Sequence, residues 1–202
     1  MLPPIASIVE GHGEVEAAPI LVRRIAELLD PAIGVRVLPP LCVPRFKLVK
    51  AGECERAVEY SARRTAGQGG ILILVDAEDD CPADLGPQLL ERARKTRSDL
   101  PIAVVLAKRE FEAWFLAAAE SLRGNRTLAD DLAPPADPES IRGAKEWLSD
   151  HMTGGSRYRE TLDQPALTAE FDFAAAKTAD SFDKCLREVS SLVATVRQRF
   201  GT

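Results

Sequence analysis

The stretch ILILVD, Ile71 to Asp76, constrains this chain more than any other. An unbroken apolar run cannot make a strand with one face in water, because alternate side chains would then be polar, and this run is far too short to cross a membrane. It reads as a strand buried on both faces, the situation of a central strand in a parallel sheet covered by helices. The surrounding pattern agrees, since short apolar runs alternate with stretches of helical period, as in β-α-β units. The first run, Ile5 to Val9, precedes a predicted helix over residues 14–29, where Val15, Ala18, Leu21, Val22, Ile25, Leu28 and Leu29 recur on one face. A second strand is expected within residues 33–43, at an edge or after a break because Pro39 and Pro40 cannot donate to a ladder. PIAVVLA, Pro101 to Ala107, supplies a fourth, and REFEAWFLAAAESL, Arg109 to Leu122, reads as a helix starting directly at its end.

The expected fold class is therefore α/β, a mostly parallel central sheet flanked by helices. Residues 1–122 form the core and residues 123–202 a helical extension packed on it. Within the extension, residues 140–152 and 181–200 read as helices, while TLADDLAPPADPES and TGGSRYRETLDQP, Thr153 to Pro165, read as loops. A chain of 202 residues suits one sizeable core. Cys42, Cys54, Cys81 and Cys185 lack any C-x-x-C spacing, which fits reduced thiols better than a zinc site or a disulfide framework. With no basic segment before its first apolar run, the chain is expected to be cytoplasmic, without a membrane span. The net charge of −5 excludes a uniformly basic nucleic-acid binder but permits a local basic patch.

Acidic residues gather where the predicted strands end. Glu10 follows the first, Asp76 with Glu78, Asp79 and Asp80 the third, and Glu110 and Glu112 the fourth. In an open α/β sheet that edge is where ligands bind. Each acid alone is as easily a helix cap or a solvated loop residue. Together at one edge they repel one another, and a divalent cation with oxygen ligands, Mg²⁺ or Mn²⁺, relieves the repulsion. Phosphate-loop readings fit poorly, because GHGEVE has two of the three glycines of G-x-G-x-x-G and sets Glu14 and Glu16 at the helix start, and no G-x-x-x-x-G-K-[ST] occurs.

IVEGHGEVE followed by ILILVDAEDD resembles the TOPRIM domain, the Mg²⁺-dependent core of topoisomerases, primases and overcoming-lysogenization-defect nucleases. The added REFEAWFLA is similar to a bacterial domain-of-unknown-function family with a TOPRIM-like core. The resemblance covers about the first half of the chain. It implies that Glu10 acts as general acid or base and that Asp76 and Glu78 hold Mg²⁺, with Glu in place of the usual second Asp, which leaves Asp80 as an alternative ligand. It further implies an ATPase partner and a setting in defence or repair.

Beside that resemblance, Glu112 is a candidate further ligand. The Gly11-His12-Gly13 turn is expected to let backbone approach a metal-bound phosphate, with His12 either exposed or donating to it. Lys108 either stabilises charge on a phosphate or is simply solvated. Arg45, Lys47 and Lys50 follow the second strand and form a candidate track for a DNA or RNA backbone, the alternative being a solvated loop. Two functions compete: a metal-dependent nuclease, and a non-catalytic module in which the same site only recognises a phosphate or docks on the ATPase.

Overall fold

A computed structural model of the chain describes residues 2–32 and 34–201. The expected second strand therefore begins on Ile33, which lies outside the described residues. The sheet has five parallel strands: β1 (Pro4–Val9), β2 (Arg36–Val37), β3 (Leu41–Cys42), β4 (Gly70–Asp76) and β5 (Ile102–Ala107). Its order is β2-β1-β4-β5, with β3 also pairing β1. The single second strand of the sequence reading is thus two short ones. β2 lies beside the start of β1 and β3 beside its end, because Pro39 and Pro40 interrupt the ladder between them.

β4 is central, and its alternation explains its composition. Leu72 and Leu74 point into one core, Ile71, Ile73 and Val75 into the other. The second core is closed by α3 (Glu53–Arg64) and α4 (Pro82–Thr96), through Val58, Ala62, Leu89 and Ala93. The first is closed by α1 (His12–Leu29) and by α9 (Asp180–Phe200), which contributes Phe182, Cys185, Val189 and Val193. The remaining helices are short: α2 (Arg45–Leu48), α5 (Ala113–Ala117), α6 (Ala144–Asp150), α7 (Glu160–Glu170) and α8 (Phe173–Ala176). No helix among the described residues is long and apolar enough to cross a membrane.

Two expectations fail for identifiable reasons. The helix expected over Arg109–Leu122 is reduced to α5 and a 3₁₀ turn at Ala119–Leu122. After β5 the chain is held in a turn instead, with Arg109 in the left-handed region (φ 64°) and the N–H of Phe111 donating to the buried Asp76 Oδ1 at 2.8 Å. The loop expected at Thr153–Pro165 contains the start of α7. Pro165 lacks the N–H for one helical bond, yet Leu167 is fully buried in the core shared with α1, and Asp163 accepts the N–H of Arg159 at 2.7 Å. Burial and that cap outweigh the missing bond.

Ser181, at the start of α9, ties the extension to the end of β5. Its Oγ accepts from the indole of the fully buried Trp114 at 2.8 Å and from the N–H of Lys108 at 3.1 Å. Ser181→Ala leaves both donors without that partner, and the expected loss is about 1–3 kcal/mol in urea unfolding. An unchanged midpoint would show that this tie contributes nothing.

Candidate functional site

The acids meet at the C-terminal edge of β1, β4 and β5. Glu10 follows β1, Asp76 ends β4, Glu112 lies in the turn after β5, and Glu14 sits in the first turn of α1. Asp76, Glu14 and Glu112 are 7%, 3% and 0% exposed. The Gly11-His12-Gly13 turn is built for these side chains. A Cβ on Gly11 would fall 2.5 Å from Glu14 Oε2, and one on Gly13 would collide with Gln164 Oε1. The N–H of Gly11 donates to Glu14 at 2.7 Å and that of Gly13 to Glu160 at 3.1 Å. Backbone expected to face a phosphate thus serves two carboxylates, and His12 is exposed.

Residues from the extension close over the cluster. Tyr158 donates its hydroxyl to Glu112 Oε1 at 2.9 Å, and Gln164 Nε2 bridges Glu112 Oε1 (3.2 Å) and Glu14 Oε1 (3.3 Å). Lys145 Nζ lies 2.9 Å from Glu160 and 4.0 Å from Glu112. Glu112 Oε2 and Gln164 Oε1 are buried without a hydrogen-bond partner.

The electrostatics are those of crowded buried acids. Burial, reinforced by the charge of Glu14, pushes Glu10 up to about 7. Burial also raises Glu112 to about 7 against the pull of Lys145 and Tyr158, and it lifts Asp76 well above the usual carboxylate range with help from Glu112, Glu10 and Glu14. Burial works against the charged form of Lys145, but Glu112 and Glu160 outweigh it and hold its pKa above the ordinary value.

Glu78, Asp79 and Asp80 stand outside this cluster. Arg45, whose side chain is only 13% exposed, pairs with Glu78 at 3.5 Å and with Asp80, and donates to the carbonyl of Ala77 at 3.2 Å. Asp79 pairs with Arg142 at 2.7 Å and Arg109 at 3.2 Å. Of the expected basic track, Arg45 is therefore engaged by acids, while Lys47 and Lys50 remain exposed around the ring of Phe46, at 6.0 and 5.6 Å. Lys108 is exposed as well. Glu110 accepts from the N–H groups of Gly143 and Ala144, at the start of α6.

Sequence reasoning did not find Lys145, Tyr158, Glu160 or Gln164 as members of the site. The last three lie in or beside the stretch read as a loop, and only the unusual concentration of polar side chains around RYRETLDQ marks them. As the side chains stand, no group of three or more His, Cys, Asp or Glu among the described residues is arranged to hold a metal ion. Glu14 and Glu112 each direct an oxygen to protein donors instead. The donor set still fits a hard divalent cation, because it is all oxygen, it has more buried carboxylates than cations, and Glu112 Oε2 has no partner.

A carboxyl whose pKa is raised by folding keeps its proton in the folded chain at pH values where the unfolded chain has lost it. Folding is then favoured below the ordinary value of 4.5, and stability falls as pH rises from there to about 7, the window set by Glu10 and Glu112. Glu55 and Asp99, held at about 2 mainly by hydrogen bonds from Arg92 and Arg97, act in the opposite sense and at lower pH. In chelator, thermal unfolding should therefore show lower stability at pH 8 than at pH 5, and Glu112→Gln should shrink the difference. A difference of the same size in the variant would contradict the assignment.

Neither the curated proteins nor the solved structures compared with the chain gave a match. Residues 9–190 match the family described as domain of unknown function (DUF4276). That span begins just before Glu10 and takes in Asp76, Glu112, Lys145, Tyr158 and Gln164, so the acid cluster and its cover fall within one family unit. The chain belongs to the DUF4276 family.

Proposed function

We propose that the chain is a divalent-cation-dependent phosphodiesterase acting on DNA or RNA, with a TOPRIM-like sheet edge as its active site. The observation that supports this best is the convergence of Glu10, Glu14, Asp76 and Glu112 at the ligand-binding edge of a parallel sheet, with Lys145 as the cation among them. The V-E-G turn at Glu10 and the buried Asp76 at the end of the central strand support the TOPRIM likeness. Asp76 and Glu112 would hold Mg²⁺ or Mn²⁺, in preference to Glu78 and Asp80, which are engaged by Arg45. A bound cation supplies positive charge to a phosphate oxygen and neutralises the carboxylates.

The chain's own residues then have separate work. Glu10 takes a proton from water as the water oxygen bonds to phosphorus, the bond from phosphorus to the leaving oxygen breaks, and that oxygen takes up a proton from solvent water while Glu10 returns its own to solvent. Tyr158 and Gln164 fix the orientation of Glu112, and Lys145 offsets the negative charge. An ATPase partner and a setting in defence or repair belong to the same reading.

Cleavage of plasmid DNA and of single-stranded RNA with Mn²⁺, Mg²⁺ or chelator tests the proposal. Metal-dependent cleavage is expected, lowered by about 10²- to 10⁴-fold in Glu10→Gln with Mn²⁺ affinity retained. Asp76→Asn should lose Mn²⁺ affinity in calorimetry. The ion pairs from Arg45 to Glu78 and Asp80 favour a second reading, a non-catalytic phosphate-recognition module. Mn²⁺ binding without cleavage of either nucleic acid would select it.

A further inference from the structure

A pocket of about 360 Å³ lies behind the wall that covers the acids, lined by Arg126, Thr127, Met152, Arg157, Arg159 and Asp163. Its charge is one-sided. Asp163, only 2% exposed, is the sole carboxylate in the lining, and both of its oxygens are already engaged, Oδ1 by the Nε of Arg126 at 2.8 Å and Oδ2 by the N–H of Arg159 at 2.7 Å. Three guanidinium groups thus face one carboxylate in a protein whose net charge is −5. Among the described residues Arg157 makes no ion pair, and the side chain of Arg159 comes no nearer than 3.9 Å to Asp163 in its one pairing.

The backbone here is held in an unfavourable form. Arg126 and Thr127 are consecutive non-glycine residues in the left-handed region, with φ of 50° and 65°. They are fixed by the N–H of Thr153 on the carbonyl of Thr127 at 2.7 Å and by the N–H of Gly124 on that of Leu128 at 3.1 Å. Such strain persists where surrounding contacts impose it, and it gathers at functional sites.

The pocket and the acid cluster share one wall. Along Arg157 to Glu160 the side chains alternate: Arg157 and Arg159 line the pocket, while Tyr158 donates to Glu112 and Glu160 receives Lys145. On α7, Asp163 faces the pocket and its neighbour Gln164 the acids. We propose that the arginine pocket binds a backbone phosphate of a nucleic-acid strand whose reacting phosphate lies at the acids. The planar guanidinium matches the oxygens of a phosphodiester and keeps its charge when partly dried. This assignment rests on the phosphodiesterase reading for the strand's path, but binding itself is measurable without cleavage.

The test is fluorescence anisotropy of a labelled single-stranded DNA of about 20 nucleotides, in chelator, with salt varied between about 50 and 200 mM. The double variant Arg157→Ala/Arg159→Ala should bind more weakly, with the salt slope reduced by about 0.7 for each lost contact, so about 1.4 in all. Both side chains are exposed, and circular dichroism checks that the fold is kept. Arg56→Ala/Arg63→Ala, on the exposed side of α3, removes the same charge elsewhere and should leave the slope unchanged. An unchanged slope in the first variant, an equal loss in the second, or no binding by the parent chain would overturn the proposal. Loss of binding in the arginine variant, where the parent never cleaves, would keep the pocket and discard the phosphodiesterase. Undiminished binding and cleavage in that variant would do the reverse.

Discussion

The structure depends on the carboxylate of Asp76 being buried at the end of the central strand. Its Oδ1 takes the N–H of Phe111 and so fixes the turn that follows β5, and that turn places Glu112 in the interior and Phe111 and Trp114 in the core. An acid in such a position is strongly unfavourable unless its charge is removed or matched. Here Glu10, Glu14 and Glu112 stand around it, and one lysine is near. The raised pKa values of Glu10 and Glu112 are the direct consequence. A cluster of this kind is completed by protons at low pH or by a cation at higher pH, and the proposed action on a phosphate requires the second.

The extension gives the cluster its walls. α7 packs on α1 and supplies Gln164, the segment before it supplies Tyr158, and α6 supplies Lys145. Three neighbouring parts of the extension therefore meet over acids that residues 10–112 provide. The same wall turns arginines outward into the neighbouring pocket, so one segment orients Glu112 on one side and gathers positive charge on the other.

Much of this was legible in the sequence. ILILVD could only be a doubly covered strand, and the acids after each run marked the edge of the sheet. Hydrophobic period located α1 and α9 because each buries a long stripe against that sheet. What the sequence hid had local causes. Pro165 resembles a helix breaker, yet it lies inside a helix whose buried face holds it in place. REFEAWFLAAAESL has a helical composition, but a hydrogen bond to an acid in another strand takes its first turn away. The sorting of DAEDD into one buried acid and three exposed ones depends on Arg45, Arg109 and Arg142, which reach it from separate segments. No local pattern encodes such a partner.

The most direct test of the account is a crystal of the chain soaked in Mn²⁺ and examined by anomalous scattering. The account predicts an anomalous peak in contact with the carboxylates of Asp76 and Glu112, with the side chains of Glu78 and Asp80 still on Arg45. A peak held by Glu78 and Asp80 instead, or no peak at the buried acids at saturating Mn²⁺, would contradict it.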